Sequence, residues 1–114
     1  MPYKITYAAD AERDFELIID FLVESYISFG DSREDAITHA LDRVIAITDD
    51  IEMLCEAPYR GTLHDDILPG LRHLTLGKAV IWFDIVEDCL EVRILAIFFG
   101  GQDHIRHMLA RLLQ

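Results

Sequence analysis

The sequence predicts an α+β fold, β-α-α-β-β-β-α, with a helical hairpin packed on a mainly antiparallel four-stranded sheet. Three observations predict it. Two apolar stripes at helical spacing occupy the first half of the chain. The second half alternates, or runs apolar in β-forming residues, between two-residue turns. A last short stripe at helical spacing follows a Gly-Gly break.

Tyr3 to Tyr7 alternates and reads as a short strand. Asp10 stands as an N-cap for the first helix, with Glu12 and Asp14 favourable in its first turn. Ala11, Phe15, Ile18, Ile19, Leu22, Val23 and Tyr26 form the helix's apolar stripe, and Gly30 suits the left-handed residue at its end. Asp31 and Ser32 can cap a second helix whose stripe is Ile37, Ala40, Leu41, Val44, Ile47, Ile51 and Leu54. Asp35, Asp42, Asp49, Asp50 and Glu52 lie mostly off that stripe and read as a solvated face. Pro58 closes the helical region, and the short connection makes the two helices an antiparallel hairpin.

Residues 58–70, with two prolines and two glycines, read as a loop. Leu71–Leu76 is the next strand, Gly77-Lys78 a two-residue hairpin turn, and Ala79–Val86 a strongly β-forming segment. Glu87-Asp88 turns the chain into Leu90–Phe99, which becomes apolar on both sides, as a strand in the interior of a sheet does. Gly100-Gly101 ends that strand. Asp103 can cap a last helix with Ile105, Met108, Leu109 and Leu112 on its apolar face.

At 114 residues the chain is expected to form one domain, 1–114. No apolar run approaches the roughly 18 residues of a membrane span, and the start lacks the pattern of an export signal, so a cytoplasmic location is expected. Cys55 and Cys89 fit no metal spacing and read as small apolar residues in a reducing compartment. The net charge of −11 opposes nucleic-acid binding, yet it is uneven. Residues 1–57 carry 14 acidic and 4 basic side chains; residues 58–114 carry 7 and 6, with four of the five histidines. A hydrophobic fraction of 52% is high for this length and predicts a dense core or apolar surface awaiting a partner.

Several local features occur in a set order. They are Ala11-x-x-Asp14 at the start of the first helix, Pro58-Tyr59-Arg60-Gly61 after the hairpin, and Pro69-Gly70-Leu71-Arg72 leading into a strand. Ile81-Trp82-Phe83-Asp84-Ile85 follows, then Val92-Arg93-Ile94-Leu95-Ala96-Ile97 running into Gly100-Gly101-Gln102-Asp103. The ordered set resembles the RelE/ParE toxin superfamily over nearly the whole chain, on its ParE-like branch. The resemblance implies a toxin of a type II toxin–antitoxin module, of the plasmid-stabilisation kind, neutralised by a ParD-like antitoxin. ParE-like members inhibit DNA gyrase by binding; RelE-like members are ribosome-dependent mRNA endoribonucleases.

Metal-free RNA cleavage needs a base, a proton donor and cations for the phosphorane. The resemblance implies that RelE-like nucleases meet this with Arg and Lys on the sheet and a polar aromatic near the C-terminus; here Ala79-Val80-Ile81 carries no arginine, Phe98-Phe99-Gly100-Gly101-Gln102 carries no basic residue, and no tyrosine follows Tyr59. The binding mode is therefore expected, with no catalytic residue, no cofactor, no metal and no direct specific nucleic-acid binding. The target-binding candidates are Arg60, Arg72, Arg93, His104 and His107. Arg72 is favoured because the resemblance singles it out; Arg93, beside Glu91, reads as a surface ion pair. His104 and His107 share a helix face and with His73 or His64 could bind zinc, but no Cys or carboxylate stands at matching spacing. Exposed or helix-capping histidines are the expected reading. Candidates for the antitoxin groove are Leu22, Tyr26, Ile37 and Phe99. A toxin reduced to an antitoxin-binding subunit is the third reading.

Overall fold

The computed structural model describes residues 2–100 and 103–114. Strand β1 (Lys4–Tyr7) leads into helices α1 (Ala9–Ser28) and α2 (Arg33–Glu52). Strands β2 (Thr62–Leu63), β3 (Arg72–Leu76), β4 (Ala79–Val86) and β5 (Glu91–Phe99) follow, then helix α3 (His104–Leu112). The sheet has five strands rather than the expected four, in the order β1-β5-β4-β3-β2. The extra strand lies inside the segment read as loop. Its two residues pair with β3, Thr62 opposite His73 and Leu63 opposite Arg72, and a two-residue strand leaves no periodicity to detect. The first strand pairs parallel with β5 and every other pairing is antiparallel, so β5 lies inside the sheet as its composition predicted.

The turn chemistry follows the residues. Gly77 has φ +62 at the first position of the β3–β4 turn, so Leu76 faces Ala79 across the hairpin. Gly61 has φ +84, and a Cβ there would overlap the backbone carbonyl of His73. That close approach gives the Pro58–Gly61 motif a physical reason. Between β4 and β5 the chain makes a short 3-10 turn over Glu87–Cys89 and closes with Leu90 in the left-handed region, φ 49.

Helix ends depart from the expectation in two places. Asp10 is not the cap of α1; Ala8 holds that position without a side-chain bond, and Asp10 stands within the first turn, where its charge suits the helix N-terminus. Asp103 occupies the cap position of α3, but its φ of 53 leaves its side chain without a capping bond. Ser32 does cap α2, accepting from the amide of Asp35. Gly100 has φ +92 at the end of β5, and its partner in the expected Gly-Gly break, Gly101, lies outside the described residues.

The sheet separates two apolar clusters. The larger lies under the helical hairpin and includes Ile18, Leu22, Ile47, Ile51, Ile81, Phe83 and Ile94. The smaller lies on the opposite face under α3 and is built from Leu71, Val80, Trp82, Ala96 and Met108. A register shift between Trp82 and Phe83 lets β4 and β5 feed both faces with large side chains.

Candidate functional site

The face under α3 gathers three histidines from distant parts of the chain. His73 lies on β3 opposite Trp82, and side chains alternate along a strand, so His73 shares the α3 face with Trp82. His64 follows β2, and its Nε2 lies 2.6 Å from Nδ1 of His73. The two rings stack with centroids 4.8 Å apart. His104, at the start of α3, brings its ring within 4.7 Å of His73. All three pack on the Trp82 indole, at 4.9 Å for His64, 5.0 Å for His73 and 5.5 Å for His104. Burial, then His104 and His64, push the pKa of His73 down; burial, then His64, push that of His104 down. Both shifts favour the neutral imidazole. The Nε1 of Trp82 and the Nδ1 of His104 are buried without a hydrogen-bond partner, each at a cost of about 1–3 kcal/mol.

The other end of α3 is tied by a buried ion pair. Asp14, 4% exposed, accepts two bonds from the Arg111 guanidinium at 2.8 and 3.0 Å and a third from the Ile97 amide at 2.9 Å. Arg111 also lies 5.0 Å over the Phe98 ring. This arrangement explains the Asp of the Ala11-x-x-Asp14 motif. Around it runs a groove of about 300 Å³ between α1, the end of β5 and α3, with Leu17, Phe21, Phe98, Phe99 and His107 in its walls.

The candidate residues scatter over these surfaces. Arg72 pairs with Phe83 and so lies on the hairpin side of the sheet, its guanidinium 5.4 Å over the Tyr59 ring. Arg60 is exposed in the loop before β2. Arg93 does form an ion pair, but with Asp84 across the β4–β5 register rather than with Glu91, at 2.9 and 2.6 Å. Glu91 is instead bonded to Thr6. Only His104 of the two α3 histidines joins the cluster; His107 is exposed and faces Phe98 at 5.7 Å. Among the described residues no group of side chains could hold a metal ion.

The groove candidates divide as well. Leu22 is 5% exposed within the hairpin core and offers no surface. Tyr26 is half-buried against His39, with Ile37 more open at 38%. Phe99 packs against Phe21 at 6.2 Å and under Arg43 at 5.6 Å, at the mouth of the groove. Of the groove's other walls, Leu17, Phe21 and Arg111 lie beside the buried stripes of α1 and α3, so an apolar helical pattern does not single them out, and Phe98 sits on β5.

No family model and no curated protein matches the sequence. Solved structures do. A chain of the chromosomal ParDE toxin–antitoxin system from P. aeruginosa matches with TM-score 0.63 at 22% identity, over 85% of this chain and 95% of that one. The fold is that of the RelE/ParE toxins. The RelBE2 toxin–antitoxin complex of Mycobacterium tuberculosis gives TM-score 0.55 at 15% identity, over 87% of this chain and 99% of that one. A mutant E. coli RelE toxin in the free state gives 0.60 at 9% identity, with both chains covered fully. On this RelE/ParE fold the α3 face carries stacked imidazoles and a tryptophan. Its one arginine among the β3, β4 and β5 residues, Arg93, is held by Asp84. Among the described residues, no helix is long and apolar enough to cross a membrane.

Proposed function

We propose that this chain is the toxin of a type II toxin–antitoxin module that acts by binding, in the ParE manner, on DNA gyrase in the cytoplasm, and that a ParD-like antitoxin neutralises it. The observation that carries the binding mode is the state of the arginines. A phosphorane needs free cations at the site of cleavage. Arg93 is chelated by Asp84, Arg111 by Asp14, and Arg72 stands on the opposite side of the sheet from the histidines. No strand residue thus brings an unpaired arginine to the imidazoles. The uneven charge agrees, since the second half of the chain is close to neutral and does not repel a large anionic assembly strongly.

We assign the antitoxin to the groove walled by Leu17, Phe21, Phe98 and Phe99. An arm that folds on binding must offset its ordering entropy by burying apolar surface, which these residues offer. The P. aeruginosa and M. tuberculosis neighbours are toxin–antitoxin systems, which supports a partner of that kind.

The alternative is a RelE-like ribosome-dependent endoribonuclease. The neutral imidazoles of His73 and His104 favour it, since acid–base chemistry near pH 7 is what histidine supplies. Induced expression in a bacterial host separates the two. The binding reading expects growth arrest with DNA damage and intact mRNA. Cuts in ribosome-bound mRNA with normal supercoiling would replace it with the nuclease.

A further inference from the structure

We propose that the His64–His73–His104 stack on Trp82 is a proton-operated clasp, which holds the start of α3 against the sheet and releases it on acidification. The clasp joins three segments: His64 of the loop after β2 and His73 of β3 meet each other, and His104 joins them only while α3 is docked. The His64–His73 contact fixes its proton count. At 2.6 Å one nitrogen donates and the other accepts, so a fully protonated pair would set two N–H groups against each other. His104 then adds a third imidazole 4.7 Å from His73, with its own Nδ1 buried and unbonded.

No group packed around the clasp offsets an added charge. Asp103 and Arg106 neighbour His104 on α3, while His107 turns to Phe98. In the loop, the Asp65 carboxylate is engaged by the Gly70 amide at 2.8 Å, and Asp66 is exposed. On the sheet, Arg72 lies on the other face and Asp84 is committed to Arg93. Among the described residues no carboxylate bonds to any of the three rings. The helix N-terminus at His104 is itself positive and opposes protonation further.

The direction follows from linkage. His73 and His104 are held below their ordinary pKa of 6.5 while docked, and lifting α3 relieves the burial of both and the repulsion between them. The released form therefore binds more protons. Docking is at full strength above pH 6.5 and weakens as the pH falls below that value. The far end stays anchored by Arg111, whose charge persists throughout the range. Release is thus a lifting of one end, which bares Trp82, Val80 and Leu71.

Trp82 is the single tryptophan, so its emission reports on the clasp directly. The experiment is a pH titration of the whole chain from 8 to about 5. It follows Trp82 emission, imidazole shifts by NMR and amide exchange of α3 against β4 and β5. The expected result is one reversible transition below pH 6.5, in which the His73 and His104 imidazoles titrate together with loss of α3 protection, while β4 and β5 stay protected. The transition should disappear in His104→Phe and His104→Gln and persist in His107→Asn. Imidazoles that titrate while α3 amides keep their protection would overturn the proposal. So would an unchanged transition in whichever His104 variant folds at pH 8. The wild-type measurement decides the question alone if neither variant folds.

Discussion

Asp14 with Arg111 and Asp84 with Arg93 are chemically the same pair in two surroundings, and the surroundings set their weight. The first is buried at the carboxylate and also satisfies the Ile97 amide; the arginine of the second is 48% exposed. Removing one partner of a buried pair leaves a charge and a donor unsatisfied, at a cost of about 3–5 kcal/mol. Arg111 keeps some access to water, so Asp14→Ala should cost about 3 kcal/mol, the low end of that range. Arg93→Ala should cost about 0–1 kcal/mol. Urea unfolding of both variants checks this; equal losses would contradict it. The sequence made Asp14 visible as part of a motif and as a first-turn acid. It could not show Arg111, which lies 97 residues away. The histidine cluster was legible in part, since His64, His73, His104 and His107 could be grouped from the sequence but not sorted. His104 and His107 share a helix face in the sequence, yet the sheet register joins His104 to His73 and His64 instead.

At the scale of elements, α2 shows what periodicity can and cannot settle. The apolar stripe located the helix, but its centre lies on Ala36, Ala40, Ile47 and Ile51, and Ile37, Leu41 and Ile45 flank it in solvent. Alanine marks the close approach of α1 and α2, and a hydropathy pattern weights it below the isoleucine beside it. Ala40, fully buried, should then tolerate no added volume: Ala40→Leu is expected to cost about 1–3 kcal/mol through overpacking. Ile45, 55% exposed, should accept lysine within about 0.5 kcal/mol. Thermal unfolding of the two variants measures the difference, and the reverse order would place the helix face wrongly. The strands were read more accurately because turn residues bounded them: Gly77 sets the β3–β4 hairpin, and β4 runs Ala79–Val86 as expected. The interior position of β5 was legible from its two-sided apolar run, whereas its parallel pairing with β1 depends on the path of the helical hairpin and leaves no local mark.

For the whole molecule, the division of labour follows the sheet. One face carries the acidic helical hairpin, and the other carries the histidines, Trp82 and a short helix tied at both ends. The expected apolar surplus is present at the surface. It is spread over both faces: Leu17, Phe21, Phe29, Leu41 and Ile45 of the hairpin region are exposed alongside Ile105, Leu109 and Leu113. Such a surface suits a partner that wraps the molecule rather than one that caps a single end. Binding of that partner should raise thermal stability by mass action. The central claim, that the chain acts by binding gyrase, is tested most directly by a supercoiling assay with purified gyrase, relaxed plasmid and increasing amounts of this chain. The account predicts loss of supercoiling as the chain is added, restored when its cognate antitoxin is supplied. Undiminished supercoiling at saturating chain, with cleavage of mRNA on programmed ribosomes by the same preparation, would contradict it.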